Sequence, residues 1–247
     1  MASTTKIEWT DRNWNPTTGC TKISPGCNNC YAEAMAKRLQ SMGKPGYDNG
    51  FELSLMPERL EEPLKINKPA MFFVNSMSDL FHEEVPFDYI DQVMLTVRRS
   101  NRKHTFQILT KRAERMAEYF RDRRVPDNAW LGVSVEDQEY GLPRMEHLRQ
   151  IKASTRFISA EPLLEDLGDI NLKGIHWVIV GGESGVRGRK MHPLWPLSLL
   201  LQCKKRNIPF FFKQWGTWGA DGIKRDKKRN GRTLADQVWD EKPKINR

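Results

Sequence analysis

Three of the four cysteines in this 247-residue chain fall within eleven positions, in the run Gly19-Cys20-Thr-Lys-Ile-Ser-Pro-Gly-Cys27-Asn-Asn-Cys30-Tyr31, with spacing C-x6-C-x2-C. Ser24-Pro25-Gly26 has the composition of a turn that curls thiolates around a metal. Clustered thiols in a reducing compartment suit metal better than a disulfide framework. A 4Fe-4S cluster is normally held by one Cys thiolate per iron, so three cysteines leave one iron without a protein ligand, a place for a substrate or cofactor. The alternatives are unligated thiols and structural zinc, which needs four ligands and commonly uses paired Cys-x2-4-Cys units. Only one such pair is present and the nearest histidine is His82, so a closed zinc site requires the chain to fold back. Cys203 stands apart in a leucine-rich segment and reads as a core thiol.

The elements that must position these thiols are legible as apolar runs at 71–75, 105–109, 130–135, 156–159, 176–180 and 209–212, rich in Val, Ile and Phe as buried strands are. Between them, Phe87, Ile90, Met94 and Val97 share a helical face, as do Ala113, Met116 and Phe120, then Leu142, Met145, Leu148 and Ile151, then Leu194, Leu197 and Leu201. Residues 31–42, with Ala32, Met35, Ala36 and Leu39 inward and Gly43 at the end, predict the first helix. Strand alternating with helix argues for parallel strands and right-handed crossovers. Nearly every run ends in a polar cluster: Asn75 to Asp79, Thr110-Lys111-Arg112, Ser134 to Asp137, Ser159-Ala160-Glu161-Pro162, Gly181-Gly182-Glu183-Ser184 and Lys213-Gln214-Trp215. Active sites of (β/α) barrels lie at the C-terminal strand ends, so the expected fold is α/β, a partial (β/α) barrel of about six parallel strands.

The bulk properties suit one globular domain, 1–218, followed by a basic, mobile tail, 219–247, in which Lys224, Arg225, Lys227, Lys228, Arg229 and Arg232 crowd together. Lys and Arg outnumber Asp and Glu by 40 to 31, a net charge of +9, which makes nucleic acid a credible partner. No run of the length a membrane span needs occurs, and the first residues lack an apolar signal segment, so a cytoplasmic protein is expected. The five histidines, His82, His104, His147, His176 and His192, form no hydrolytic pattern. His82 and His192 follow strand ends and are candidates to line the pocket. Trp9, Trp14, Trp215 and Trp218 are candidates to stack on a base or to fill the barrel mouth.

The cysteine segment resembles the radical S-adenosylmethionine (SAM) superfamily, whose three cysteines lie in a loop after the first barrel strand, often followed by an aromatic residue as Tyr31 is here. Through IEWTDRNWNPTTGC, CNNCYAE, LTKR, GVSVE, SAEPL, VGGESG and FFKQWG, spanning most of residues 7 to 216, the chain is similar to phage and prophage proteins of uncertain function that carry a three-cysteine motif and are regarded as radical-SAM-like. The resemblance implies a 4Fe-4S cluster on Cys20, Cys27 and Cys30, SAM on the open iron, and an electron donor such as flavodoxin or ferredoxin. It implies an isomerase- or transferase-type reaction, with nucleic acid, DNA favoured, as substrate and thymidine hypermodification in phage DNA as one form of it. A peptide or small metabolite, or a non-catalytic zinc- or cluster-stabilised nucleic-acid-binding protein, are the alternatives.

Two departures stand out. The superfamily spacing is C-x3-C-x2-C, and its Gly-Gly-Glu follows the second strand, whereas Gly181-Gly182-Glu183 follows a late one, so the amino-group role is not carried onto Glu183. By position, Ser76, Ser78 and Asp79 are expected near the SAM ammonium, Ser134 and Glu136 near its ribose, and Lys111 or Arg112 near its carboxylate. Tyr31, Glu161, Gly181, Gly182 and Glu183 complete the expected pocket, the glycines allowing close backbone approach.

Overall fold

The apolar runs become strands buried along nearly their whole length, and a polar stretch that no hydrophobic pattern marks supplies one more. The structure is a computed structural model that describes residues 3–5, 7–100 and 103–245. The chain opens with β1 (Ser3–Thr4) and β2 (Arg12–Asn13), then a small antiparallel pair, β3 (Thr17–Thr18) with β4 (Ser54–Leu55). Between these lies α1 (Tyr31–Ser41). The runs identified in the sequence follow as β5 (Met71–Val74), β6 (Thr105–Thr110), β7 (Ala129–Ser134), β8 (Thr155–Ala160), β9 (Trp177–Gly181) and β10 (Phe210–Gln214). Helices α2 (Phe87–Arg99), α3 (Ala113–Tyr119), α4 (Gly141–Gln150) and α5 (Leu194–Lys205) alternate with them.

The sheet order is β1-β2-β5-β6-β7-β8-β9-β10, and every pairing from β2 to β10 is parallel. Among the described residues that is seven parallel strands in an open half-barrel, one more than the sequence predicts. The extra strand is β2, two polar residues that pair with Phe72 and Phe73 of β5 and carry no hydrophobic run of their own. The cysteine segment therefore directly follows the first parallel strand.

Strand alternation divides the core in two. Phe72, Phe106, Leu131, Ile158, Val178 and Phe210 face the helices and pack with Ile90, Met94, Met116, Leu148 and Leu199. Their neighbours face the inner side, where Trp9, Phe73, Trp130, Phe157, Trp177 and Phe211 form a separate aromatic cluster. The Trp177 ring sits at its centre, 6.1 Å from Trp9 and from Trp130, 5.7 Å from Phe157 and 6.2 Å from Phe211. Trp130 and Trp177 lie near the starts of their strands, so aromatic mass plugs the N-terminal end of the half-barrel. The C-terminal strand ends are left to polar residues.

Residues from 219 onward, expected to be a mobile tail, are laid against the sheet. They form α6 (Lys227–Asn230) and the hairpin of β11 (Thr233–Leu234) with β12 (Gln237–Val238). Leu234 is 3% exposed, and Trp239 packs on Phe210. Phe212 N donates to Trp239 O at 2.9 Å and Glu241 N to Phe210 O at 3.2 Å, so the segment covers the open edge of β10. Two apolar anchors and a strand edge in need of partners outweigh the polar composition. Residues 246 and 247 of the expected tail lie outside the described residues.

In α1, Ala32 and Ala36 are buried as expected, but Met35 is exposed. Cys203 is fully buried in α5, as its surroundings in the sequence imply.

Candidate metal centre at the strand ends

Cys20, Cys27 and Cys30 are free, partly exposed thiols on one loop at the C-terminal end of the half-barrel. Gly19 sets where the loop begins. Its φ of +80° is left-handed, and a Cβ there would lie 2.0 Å from the Glu52 carbonyl oxygen, so only glycine fits. Gly19 N donates to Met77 O and Cys20 N to Phe51 O, both at 3.0 Å, which clamps the first cysteine between two neighbouring segments. Pro25–Cys27 make one 3-10 turn, and Cys30 is the N-cap residue of α1.

Four strand ends grip this loop. Beyond β5, Ser76 O accepts from the Tyr31 hydroxyl at 2.6 Å. Beyond β6, Arg112 Nη1 donates to Cys20 Sγ at 3.4 Å, and Nη2 to Thr21 Oγ1 at 2.8 Å. Beyond β7, Glu136 accepts from the Ser24 hydroxyl, which itself lies 3.8 Å from Cys27 Sγ. Beyond β9, Glu183 Oε2 accepts from Asn29 Nδ2 at 2.9 Å. Arg189, which donates to Glu183 at 2.8 Å through Nε, also reaches Pro25 O at 3.0 Å.

The electrostatics follow from these contacts. Burial, and then the Asp79 carboxylate, push the Cys20 thiol up to about 11 against the pull of Arg112, so the free thiol keeps its proton until a cation displaces it. Burial alone would raise Glu136, which is fully buried, but the charges of Lys111 and Arg144 and the Ser24 and Arg144 hydrogen bonds outweigh it and hold the carboxyl below the ordinary range. Arg144 Nη1 lies 2.6 Å from Glu136 Oε2. Burial likewise opposes ionisation of Glu183, but the Arg189 and Asn29 hydrogen bonds and the Arg189 charge outweigh it and hold the carboxyl below the ordinary range.

The remaining expected residues are distributed unequally. Asp79 is saturated inside the protein, accepting from Thr110 Oγ1 at 2.6 Å, Phe81 N at 3.0 Å, Lys111 N at 3.1 Å and Arg112 Nη1 at 3.3 Å. Ser78 Oγ is held by Asn75 and Thr17 at 2.7 Å, and Ser76 N donates to Asn15 Oδ1 at 2.7 Å. Gly182 is a packing requirement, since a Cβ there would strike the Trp215 carbonyl oxygen at 2.0 Å. Ser134 is buried on the inner face in register with Ser159. Glu161 pairs with Lys213 at 2.5 Å, both side chains lying against Gly181. Half-buried Lys111 has no hydrogen-bond partner for its ammonium among the described residues. Thus Lys111, Ser134 and the Glu161–Lys213 pair remain beside the loop, while Ser76, Ser78, Asp79, Glu136 and Glu183 brace it.

His82 is buried with Nε2 2.9 Å from Thr21 Oγ1, and it lines a cavity of about 520 Å³ beside Cys20 with Glu33, Phe51, Leu53 and Glu84. His192 lies at the surface near Trp195. Of the four candidate tryptophans, Trp9, Trp14 and Trp215 are buried and only Trp218 is partly exposed. Sequence reasoning missed Ser24, Asn29, Arg144 and Arg189. The helix after Glu136 carries both Arg144 and Arg149, so no local signal singles out the one that reaches the carboxylate.

The donor set fits an iron-sulfur cluster. Among the described residues no three His, Cys, Asp or Glu side chains converge as ligands of one ion. A cubane asks for something else, a separate iron for each thiolate, together with hydrogen bonds to the sulfurs of the kind Arg112 supplies.

No curated protein matches the chain in sequence. Two solved structures of spore photoproduct lyase variants are similar in backbone. One is 12% identical with a TM-score of 0.45, covering 73% of this chain and 58% of that one; the other is 11% identical with a TM-score of 0.48, covering 96% and 77%. The chain thus spans a little over half the length of the first. A family model described as a protein of unknown function, DUF5131, matches residues 4–243, and the chain belongs to that family.

Proposed function

We propose that this protein is a radical SAM enzyme acting on nucleic acid, with DNA the favoured substrate and a base, such as a hypermodified thymidine, the reacting group. The observation that supports it best is the placement of Cys20, Cys27 and Cys30 in a loop directly after the first parallel strand, gripped by four other strand ends of a half-barrel. In this reading the three thiols hold three irons of a 4Fe-4S cluster and leave the fourth to SAM. When bound, the cluster and SAM supply one-electron cleavage of a sulfonium C–S bond, giving methionine and a 5'-deoxyadenosyl radical that takes hydrogen from the substrate.

The chain's own residues orient and shield. Tyr31 fixes the start of α1 through Ser76, Glu136 and Glu183 hold the two turns of the loop, and the aromatic plug around Trp177 closes the pocket from below. Lys111 offers a cation to the SAM carboxylate, and Ser134 a hydroxyl to its ribose. The net charge of +9 supports a polyanionic substrate. An external one-electron donor of flavodoxin or ferredoxin type completes the system.

The test is anaerobic reconstitution with iron and sulfide, addition of dithionite and SAM with and without duplex DNA, and quantification of 5'-deoxyadenosine. Release of 5'-deoxyadenosine that depends on the cysteines is expected. A cluster-loaded protein that leaves SAM intact with every nucleic acid offered would contradict the proposal.

A further inference from the structure

We infer that the phosphate backbone of the nucleic acid docks on a basic rim formed by Arg187 and Lys190, after β9, together with Lys227, Lys228 and Arg229 of α6, beside the cysteine loop. The inference rests on the nucleic-acid reading above and deepens it by assigning the contact surface. All five side chains are exposed. Among the described residues none of the five is paired with a carboxylate.

The rim is built, although its sequence has tail composition. Loop 182–190 leaves the C-terminal end of β9, and residues 215–219 leave that of β10, so both stand on the face that carries the cysteines. Three contacts lock the loop to the basic segment: Thr217 N donates to Glu183 O at 2.9 Å, Trp218 Nε1 to Gly188 O at 2.8 Å, and Lys224 Nζ to Val186 O at 2.9 Å. Asn230 Nδ2 then donates to Gly216 O at 3.0 Å and ties α6 to the end of β10. The same loop is tied to the cysteines, because Asn29 Nδ2 donates to Arg187 O at 3.0 Å and Arg189 to Pro25 O. The loop that carries Arg187 and Lys190 is thus bonded to the cysteine segment, and α6 is bonded to the end of the neighbouring strand.

The carboxylates within this segment are already engaged. Asp221 pairs with Arg225 at 2.7 Å, and Asp226 caps α6 by accepting from Lys228 N at 2.9 Å. Asp226 keeps its charge beside α6, but the five rim cations outnumber it. Trp218, partly exposed between Lys224 and the loop, offers a ring face at the same place. A second basic region, the cleft of about 1340 Å³ between α3 and α4, differs in kind. There Arg123 and Arg124 pair with Asp91 and Asp127, and Glu114, Glu118 and Asp122 line the same walls. Arg121 and Lys152 in the cleft have no carboxylate partner among the described residues, but they share its walls with Glu83, Glu114, Glu118 and Asp122, whereas the five rim cations stand without a carboxylate partner and are the freer to contact phosphates.

The test compares the full-length protein with K227A/K228A/R229A and with R121A/R124A/K152A from the cleft. Binding to a short DNA duplex and to the RNA duplex of the same sequence is measured from about 50 to 200 mM salt. Circular dichroism and thermal midpoint confirm that each variant is folded. Three lost phosphate contacts should make the slope of log affinity against log salt shallower by about 2.7, so that over this range the wild type loses about 40-fold more affinity than the rim variant. The cleft variant should keep the wild-type slope. A rim variant with an unchanged slope, or a cleft variant that takes the loss, overturns the inference and leaves the nucleic-acid reading standing. A wild-type protein that binds neither duplex overturns both. Greater loss on DNA than on RNA supports DNA as the polymer carried by the rim, and the reverse assigns the rim to RNA.

Discussion

At the scale of single residues, the three cysteines and Cys203 are chemically alike and structurally opposite. Cys203 is sealed in α5, whereas the others share one partly exposed loop. C20A, C27A and C30A should each reduce bound iron after reconstitution from about four per chain to a small fraction of that. C203A should keep the wild-type content at a stability cost of about 1 kcal/mol. Iron and acid-labile sulfide analysis decides it. Glu136 is the second informative residue, since it joins the loop through Ser24 to α4 through Arg144. Removing it leaves a buried guanidinium without its partner, and E136A should cost about 3 to 5 kcal/mol in denaturant unfolding as well as cluster loading. Its carboxyl is held below the ordinary range, so the pair's contribution is complete above the unfolded-state value, about 4.3, and is lost as pH falls through the lower folded-state value. Acid unfolding monitored between pH 6 and 2 should show that loss in the wild type and not in E136A.

At the scale of elements, glycines of equal handedness carry unequal constraints. G19A meets the Glu52 carbonyl at 2.0 Å, while G43A, at the end of α1 with φ of +61°, meets nothing within 4 Å. The G43A cost should stay near the backbone penalty of about 1 to 2 kcal/mol. G19A should exceed it and should also lose iron, because the loop cannot reach Cys20's position; thermal melts and metal analysis separate the two. The same scale shows what was legible in the sequence. Six strands announce themselves as runs such as MFFV and WVIV, because burial on both faces demands unbroken apolar sequence. β2 does not, since Arg12 and Asn13 pair without being apolar. The cysteine loop stands out in the sequence by its spacing, but the contacts that support it do not: the Ser24–Glu136 and Asn29–Glu183 bonds join residues 112 and 154 positions apart. Pairings of that range leave no local pattern.

At the scale of the molecule, the half-barrel has an open edge at β10, and the C-terminal segment closes it with Leu234, Trp239 and backbone bonds. Composition alone makes this segment a tail, because two anchors five residues apart are invisible among so many charges. Truncation after Trp218 should therefore lower stability by about 3 to 6 kcal/mol and promote edge-to-edge aggregation. Thermal midpoint and light scattering measure both, and a truncated chain as stable and monodisperse as the full one would show that the segment contributes nothing to the fold.

In the proposed centre three thiolates leave one iron open. Low-temperature electron paramagnetic resonance of the anaerobically reconstituted, dithionite-reduced protein, recorded with and without SAM, tests it most directly. A reduced cubane signal is expected whose line shape changes when SAM is added and which does not form in C20A, C27A or C30A. Stoichiometric zinc in place of iron, or a cluster signal that SAM leaves unaltered, would contradict it.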